Sequence, residues 1–113
     1  MSADCLFCKI IRGEIPAKLV ADTADCIAFR DINPQAPVHV LVVPRGHVAS
    51  LDELRDAELL GKIGLLAAEI ARSEGIAASG YRTVINHGSD GGQSVAHLHL
   101  HLLGGRKMKW PPG

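Results

Sequence analysis

The stretch VAHLHLHLL, residues 95–103, alternates histidine with leucine along most of its length. His97, His99 and His101 occupy every second position, and leucines fill the positions between them. Because side chains alternate between the two faces of a β-strand, the pattern predicts a strand with three imidazoles on one face. The leucines on the opposite face are predicted to lie in the hydrophobic core.

Three functions are open for this histidine face. A polar, solvated sheet surface is the first, although threonine, lysine or glutamate would serve it equally well. A metal site is the second, because imidazole is a common ligand and His-x-His on a strand brings two rings together. The third is chemistry at a phosphorus or acyl centre, with one imidazole as nucleophile and its neighbours as orienting and proton-transfer groups.

The flanking sequence predicts an α+β fold. VHVLVVP at 38–44 is a β-branched run that ends at a proline, which indicates a buried strand. Further strands are predicted at 18–22, 25–30 and 81–87, and a short helix at 7–12. Apolar positions fall on one face of a helix from 56 to 74, and Ser50 with Glu53 matches a capping box that opens a helical stretch. The expected architecture is an antiparallel sheet that carries one long helix on one face.

The composition predicts one small cytoplasmic domain, residues 1–113. Twelve basic residues balance twelve acidic ones, so a broad nucleic-acid-binding surface is not expected. No run approaches the roughly 20 apolar residues of a membrane helix, and the N-terminus lacks the apolar core of a signal peptide. Cys5, Cys8 and Cys26 are an odd number and are interpreted as reduced thiols, with a metal site as an alternative at the first two.

The loop before the histidine segment has the composition of an anion site. Residues 86–94, NHGSDGGQS, are rich in glycine, which lets backbone N–H groups turn toward an anion. Gln93 and Ser94 add side-chain donors. Many hairpin loops have this composition, so the anion site is predicted only because the loop lies directly before three histidines. His39 shares a strand face with Leu41 and Val43, and is either a buried, hydrogen-bonded histidine or a fourth imidazole at the site.

Several motifs together resemble the histidine triad (HIT) superfamily. The segment HLHLHLL at 97–103 is similar to its signature, and the similarity extends over nearly the whole chain to the Hint branch. The other matching segments are FCKIIRGEIPAK, AFRDINPQAP, VHVLVVP, GSDGGQSVAHLHLHLLGGR and the terminal WPPG. The resemblance implies a five-stranded antiparallel sheet with one long helix and a short N-terminal helix. It also implies a homodimer whose sheets join across the interface.

Hint proteins are purine nucleoside phosphoramidases, which cleave the P–N bond of nucleoside 5′-phosphoramidates. The resemblance makes His99 the nucleophile that takes the nucleotidyl group, with no metal required for catalysis. His101 and Ser94 would contact the phosphate and deliver a proton to the departing amine. His39 and His97 would fix the orientation of the central imidazole.

The resemblance also assigns the substrate contacts. Asn86 would hold phosphate oxygens, as would the backbone of Gly92, Gln93 and Ser94. Asp31 would accept hydrogen bonds from the ribose hydroxyls. The apolar slot for the purine of AMP or GMP would consist of Leu6, Phe7, Ile10, Phe29, Ile32 and Leu41. Plain core packing is the alternative for these side chains. For Ile10 and Leu41, core packing and contact with the purine are equally good interpretations.

Two further features depend on the resemblance. The C-terminal tail, residues 104–113, would shape the partner subunit's cleft, where Trp110 would help to select the leaving group. Zinc-binding members of the superfamily pair the Cys-x-x-Cys motif with a histidine after the VVP strand and with the first triad histidine. In this chain, a structural Zn²⁺ would therefore take Cys5, Cys8, His47 and His97 as ligands.

Two functions compete with phosphoramidate hydrolysis. A nucleotide-binding regulatory or scaffold protein would keep the pocket but have little turnover. A metal-dependent hydrolase would use His97 and His99 as ligands, although no carboxylate general base is evident beside them in the sequence. Aminoacyl-adenylates, adenylyl-lysine and simple phosphoramidates are all candidate substrates.

Overall fold

The computed structural model describes residues 5–113. The first four residues lie outside this range. They belong to the N-terminal segment that is predicted to lack the apolar core of a signal peptide. The strands are β1 (Leu19–Asp22), β2 (Cys26–Arg30), β3 (Val38–Pro44), β4 (Tyr81–Val84) and β5 (Leu100–Gly104). The helices are α1 (Leu6–Ile11), α2 (Ala57–Ser73) and the single turn α3 (Gly88–Gly91), with a 3₁₀ turn at Leu51–Glu53.

The five strands form one antiparallel sheet in the order β1-β2-β3-β5-β4. Strand β3 is central and pairs His39 with Leu103 and Leu41 with His101. With the long helix α2, this is the α+β fold that the sequence predicts. The predicted bounds of β3 are confirmed in full. Within residues 5–113, no helix combines the length and apolar character needed to cross a membrane.

The sheet separates two hydrophobic clusters. On one face, alternate residues of β3 and the leucines of the histidine segment pack against α2 through Ile63, Ala67 and Ile70. On the other face, Leu41 and Val43 pack against Phe7 of α1. The apolar strand face, with a period of 2 residues, therefore packs against the apolar helix face, with a period of 3.6 residues, as the sequence predicts. The histidines lie on the α1 face, where they form the site.

The capping-box prediction at Ser50 is wrong for the main helix. Ser50 precedes only the 3₁₀ turn, and its side chain makes no cap hydrogen bond. Helix α2 begins at Ala57, four residues after that turn, and its N-cap is Asp56, whose Oδ1 accepts the backbone N–H of Leu59 at 3.1 Å. An aspartate at the N-cap satisfies one of the unpaired N–H groups of the first turn, which a serine six residues earlier cannot do. At the other end Gly75, with φ +77°, follows the helix as predicted.

The predicted strand at 95–103 is shorter in the structure, and so is the one at 81–87. Regular pairing in the histidine segment starts only at Leu100. Leu98 lies opposite Pro44 in the continued register, and proline has no N–H with which to extend the ladder. The leucines nevertheless stay in the core, since Leu98, Leu100 and Leu102 are all buried there. The connection GSDGGQS is partly ordered as helix α3.

Candidate active site

His99 is held with its reactive nitrogen free. Its Nδ1 lies 2.7 Å from the carbonyl oxygen of His97, so Nδ1 carries the proton and donates it. The neutral ring then has a lone pair on Nε2. Among residues 5–113, no fully buried side-chain nitrogen lacks a hydrogen-bond partner, so this Nε2 is open to the adjoining cavity. A 5% exposed imidazole with a free lone pair is suited to act as a nucleophile.

His101 is held in the opposite way. The backbone N–H of Gln35 donates to His39 Nδ1 at 3.0 Å, so the proton of neutral His39 is on Nε2. That Nε2 lies 2.9 Å from His101 Nδ1, which accepts the bond. The proton of His101 is therefore on its own Nε2. One lone pair and one N–H are thus presented by neighbouring rings whose centroids lie 4.9 Å apart.

Burial favours the neutral form of His101 and His39 in the free protein. Desolvation is the main cause that lowers the pKa of His101 to about 4, and the nearby His99 and His39 rings lower it further. Burial likewise lowers the pKa of His39, against an opposing effect of Asp31, whose Oδ2 lies 3.4 Å from Nε2. A neutral histidine pair preserves the hydrogen-bond directions described above, because a protonated Nδ1 could not accept the Gln35 N–H.

A cavity of about 220 Å³ brings most of the predicted residues together. His99, His101, Ser94 and Asp31 line it. All six side chains predicted for the purine slot line it as well, namely Leu6, Phe7, Ile10, Phe29, Ile32 and Leu41. The ring of Phe7 meets that of His99 edge-on, with centroids 5.0 Å apart.

Five lining residues of the cavity and one backbone group beside it were not among the predicted site residues. Its lining also includes Ile15, Pro16, Ala17, Arg30 and Val95. The Gln35 peptide, which orients His39, gave no side-chain signal because its backbone makes the contact. The bracketing prolines of PQAP were the one hint that this turn has a fixed geometry.

The glycine-rich loop differs from its predicted role in one respect. The amide nitrogen of Gln93 donates to Ala49 O at 2.7 Å and to Val95 O at 3.0 Å, so this side chain braces the loop. Asn86 is half-buried and, like Gly92 and Gln93, is not part of the cavity lining. Ser94 is the loop residue that reaches the cavity. Gly92, with φ +80°, ends α3 just before it.

A second cluster of polar side chains, which includes His97, lies beside the cavity. The Sγ atoms of Cys5 and Cys8 lie 3.4 and 3.5 Å from His97 Nδ1, and His47 Nδ1 lies 3.3 Å from Cys8 Sγ. His97 Nε2 donates to the Pro44 carbonyl at 2.9 Å, so its Nδ1 has a lone pair toward the thiols. Tetrahedral zinc with these ligands requires S–N separations of roughly 3.5 Å. The donor set and its spacing fit a structural zinc ion.

The two clusters share His97, which is fully buried. Its ring faces the thiols, and its carbonyl oxygen orients His99. Burial lowers the pKa of His97, partly offset by the Pro44 hydrogen bond, and burial also raises the pKa of the Cys8 thiol. A second group of potential ligands, Asp31, His39 and His101, lies on the cavity side, and His99 belongs to neither group.

The C-terminal tail packs against its own sheet edge. Arg82 of β4 donates to the Lys109 carbonyl at 2.9 Å, and its guanidinium carbon lies 6.0 Å from the centre of the Trp110 ring. Trp110 is 82% exposed and is not part of the cavity lining. The prediction that it reaches a partner subunit's cleft remains a prediction.

Comparison with known proteins identifies the family. The model of the HIT domain matches residues 12–108. The chain belongs to the HIT domain family. It is 55% identical over 115 residues to an uncharacterized HIT-like protein of Synechococcus elongatus, and 50% identical over 115 residues to one of Synechocystis. Each alignment covers 100% of both chains.

Solved HIT structures share the whole fold. A HIT family hydrolase from Legionella pneumophila is 53% identical, with a TM-score of 0.95 over 97% of this chain and 100% of the other. A histidine triad protein from Clostridium difficile is 43% identical, with a TM-score of 0.93 and 96% of each chain covered. These similarities support hydrolase activity for this HIT protein.

Proposed function

We propose that this HIT protein hydrolyses the P–N bond of purine nucleoside 5′-phosphoramidates through a nucleotidyl-histidine intermediate on His99. The observation that carries the proposal is the pairing of protonation states at the cavity. His99 offers a lone pair on Nε2, and His101 offers an N–H beside it. Displacement at phosphorus with an amine leaving group needs both, a nucleophile and a proton for the amine.

The reaction proceeds in two displacements. In the first, His99 Nε2 attacks phosphorus, the P–N bond breaks, and the amine departs with an added proton. In the second, water attacks the nucleotidyl-histidine, which releases the nucleoside monophosphate and restores the neutral ring. Phosphoramidate and water are thus converted to monophosphate and amine. Two inversions retain the configuration at phosphorus.

His101 and Ser94 supply the proton path to the amine. In the free protein the pKa of His101 is lowered to about 4, so the ring is neutral at pH 7. The neutral ring still offers its Nε2–H to the amine, because His39 donates to its Nδ1. Ser94 lines the same cavity, and a hydroxyl at this position can serve as a second donor.

The cavity composition supports a purine nucleotide as substrate. The six apolar side chains of the predicted slot match the flat, apolar base, and Asp31 lines the same cavity with a carboxylate that can accept from ribose hydroxyls. One Asp31 oxygen accepts the Asn33 N–H at 2.8 Å, and the other, 3.4 Å from His39 Nε2, retains a lone pair for the sugar. A second cavity, of about 680 Å³, adjoins Asp31 on the side of Lys18.

A homodimer is part of the proposal. Strand β4 is at the edge of the sheet, with a partner on one side only among the described strands. Unpaired N–H and C=O groups at such an edge favour pairing with a second copy. A monomer mass by light scattering across the micromolar range would contradict it.

Hydrolysis of adenosine 5′-phosphoramidate by wild type, His99→Ala and His87→Ala tests the proposal. His87 is an exposed histidine that caps nothing through its side chain, so it is a matched control. We expect His99→Ala to lose activity by at least about 10²-fold and His87→Ala to retain it, with and without chelator. Intact-mass measurement at alkaline pH should show one added nucleotidyl group on wild type and none on His99→Ala.

The other outcomes separate the competing functions. Tight AMP binding by wild type without turnover would indicate a regulatory nucleotide-binding protein. Activity lost on adding chelator would indicate metal-dependent hydrolysis, and the Asp31, His39 and His101 group would then be the site to examine. Since His99 lies in neither group of potential ligands, its arrangement favours the nucleophilic role.

A further inference from the structure

We propose that Arg106, an exposed residue two positions after the end of β5, is a positioning residue for this reaction. It holds the backbone carbonyl of Gln35, and the N–H of the same residue sets the proton position on His39 and, through His39, on His101. The inference rests on the proposed P–N hydrolysis, because that reaction gives the His101 proton its task. Arg106 itself does not line the cavity that contains His99.

The first link joins two segments that are far apart in the sequence. Arg106 Nε donates to the Gln35 carbonyl oxygen at 3.0 Å, across 71 residues. Its Nη1 donates to the Lys107 carbonyl at 3.2 Å, so the same guanidinium is fixed to its own strand end. A planar group with donors in a rigid fork is suited to bridging two carbonyl oxygens in this way. Arg106 therefore joins the Gln35 turn to the segment that follows β5.

Close packing beside this link shows that the turn has little freedom. Gly105 adopts φ +88°, and a Cβ at this position would lie 2.9 Å from Pro37 Cβ. Only glycine lets the end of β5 approach the turn so closely. Within the turn, Gln35 Nε2 donates to the Asn33 carbonyl at 3.0 Å. Arg106 thus holds the backbone carbonyl of Gln35, and the Gln35 side chain is held within its own turn.

Through the second contact, the position of the Gln35 N–H determines which ring nitrogen of His39 carries the proton. A peptide N–H can only donate, so the 3.0 Å bond from Gln35 to His39 Nδ1 requires a lone pair there. His39 must then carry its proton on Nε2, which donates to His101 Nδ1 at 2.9 Å. If the Gln35 peptide moves away, His39 is free to place its proton on Nδ1. The bond to His101 is then lost or reversed, with His101 Nδ1–H as the donor, and in either case the His101 proton is no longer held toward the substrate.

Leaving-group dependence tests this chain of contacts. We compare kcat/KM for an alkylamine phosphoramidate of AMP with that for the 4-nitrophenyl ester of AMP. The amine needs a proton to depart, whereas 4-nitrophenolate departs as a stable anion. For Arg106→Ala we expect a loss of about tenfold on the phosphoramidate, part of the usual contribution of general acid catalysis, and little change on the ester.

The matched control is Arg55→Ala. Arg55 is also exposed and also donates to backbone carbonyls, those of Asp52 and Leu54 at 2.7 and 3.1 Å, but it has no link to His39. We expect Arg55→Ala to match wild type on both substrates. Equal losses of Arg106→Ala on the two substrates, or no loss on either, would overturn the inference. Absence of wild-type turnover on both substrates would instead overturn the proposed function.

Nitrogen-15 NMR of the histidine rings gives a readout that does not depend on activity. We expect His39 in wild type and in Arg55→Ala to be the Nε2–H form, and Arg106→Ala to contain a substantial fraction of the Nδ1–H form. Arg106→Gln, which retains a side-chain amide donor, serves if the alanine variant folds poorly. An unchanged His39 tautomer in a folded Arg106 variant would overturn the proposal even if turnover changed.

Discussion

His97, His99 and His101 are the same residue type in one short segment, and their hydrogen bonds make them chemically different. The Pro44 carbonyl fixes the proton of His97 on Nε2, and the His97 carbonyl fixes that of His99 on Nδ1. Through His39, the proton of His101 is fixed on Nε2. The first ring therefore faces the thiols as a ligand, the second offers a lone pair, and the third offers a proton. The partner of each ring nitrogen decides its chemistry.

The lowered pKa of His101 makes the stability of the protein dependent on pH. In the unfolded chain this group titrates near 6.5, and in the folded protein near 4. Between these values the unfolded state binds a proton that the folded state does not, so the free energy of unfolding falls as the pH decreases from 6.5 to 4. Burial lowers the pKa of His39 as well and adds to the same trend.

Denaturant unfolding between pH 7 and pH 4 measures this effect. We expect His101→Asn to lose less stability over this range than wild type, because its side chain does not titrate there. His87→Ala should follow the wild-type curve. Chelator in every sample removes any contribution from metal release. Parallel curves for His101→Asn and wild type would show that His101 does not carry the acid sensitivity.

At the scale of elements, the start of α2 shows how a local signal can mislead. Ser50 and Glu53 have capping-box spacing, but the helix they precede is only a 3₁₀ turn. Asp56 is the residue whose side chain accepts an N–H of α2. A capping motif specifies that a turn can begin, whereas packing of the apolar face against the sheet decides where a long helix begins.

We expect Asp56→Ala to lower the free energy of unfolding by about 1 kcal/mol, the usual cost of an N-cap removal. Ser50→Ala should cost less, because the Ser50 side chain makes no cap hydrogen bond. Urea denaturation with unchanged m-values measures both changes. If Ser50→Ala is the more damaging variant, the cap is at Ser50 and the assignment to Asp56 is wrong.

At the scale of the whole molecule, the cysteine and histidine cluster connects three distant segments. Cys5 and Cys8 lie at the start of α1, His47 follows β3, and His97 precedes β5. A bound metal ion that joins such segments stabilises the folded state, because the unfolded chain holds no preformed site. The ion would also hold His97 in place, and the carbonyl oxygen of His97 orients His99.

We expect the purified protein to bind one zinc ion and to gain melting temperature on binding it. Cys8→Ser should lose both the zinc and the gain, and should still cleave the phosphoramidate at temperatures where it is folded. Cys26→Ala is the control, since this buried thiol lies in the other cluster beneath α2. Elemental analysis and calorimetry decide the matter. Zinc retained by Cys8→Ser at wild-type stoichiometry would show that the site is elsewhere.

The sequence by itself determined what depends on local periodicity. The alternation of histidine and leucine separates the histidine face from the core, and the 3.6-residue pattern at 56–74 specifies α2. Motif resemblance extended this to the purine slot, all six members of which line the cavity. The limits of β5 could not be predicted in this way, because they depend on the register that places Leu98 opposite Pro44.

Only the tertiary structure decided the proton positions and the supports behind them. The bonds from Gln35 to His39, from His39 to His101 and from Arg106 to Gln35 join residues 4, 62 and 71 positions apart. Two of these three bonds use a backbone group of Gln35, which leaves no trace in residue type. Hydrogen bonds act over about 3 Å, so a bond between distant positions exists only once sheet register and turn geometry have brought the atoms together. For this reason the sequence determines which imidazoles are available, and the folded chain determines what each of them can do.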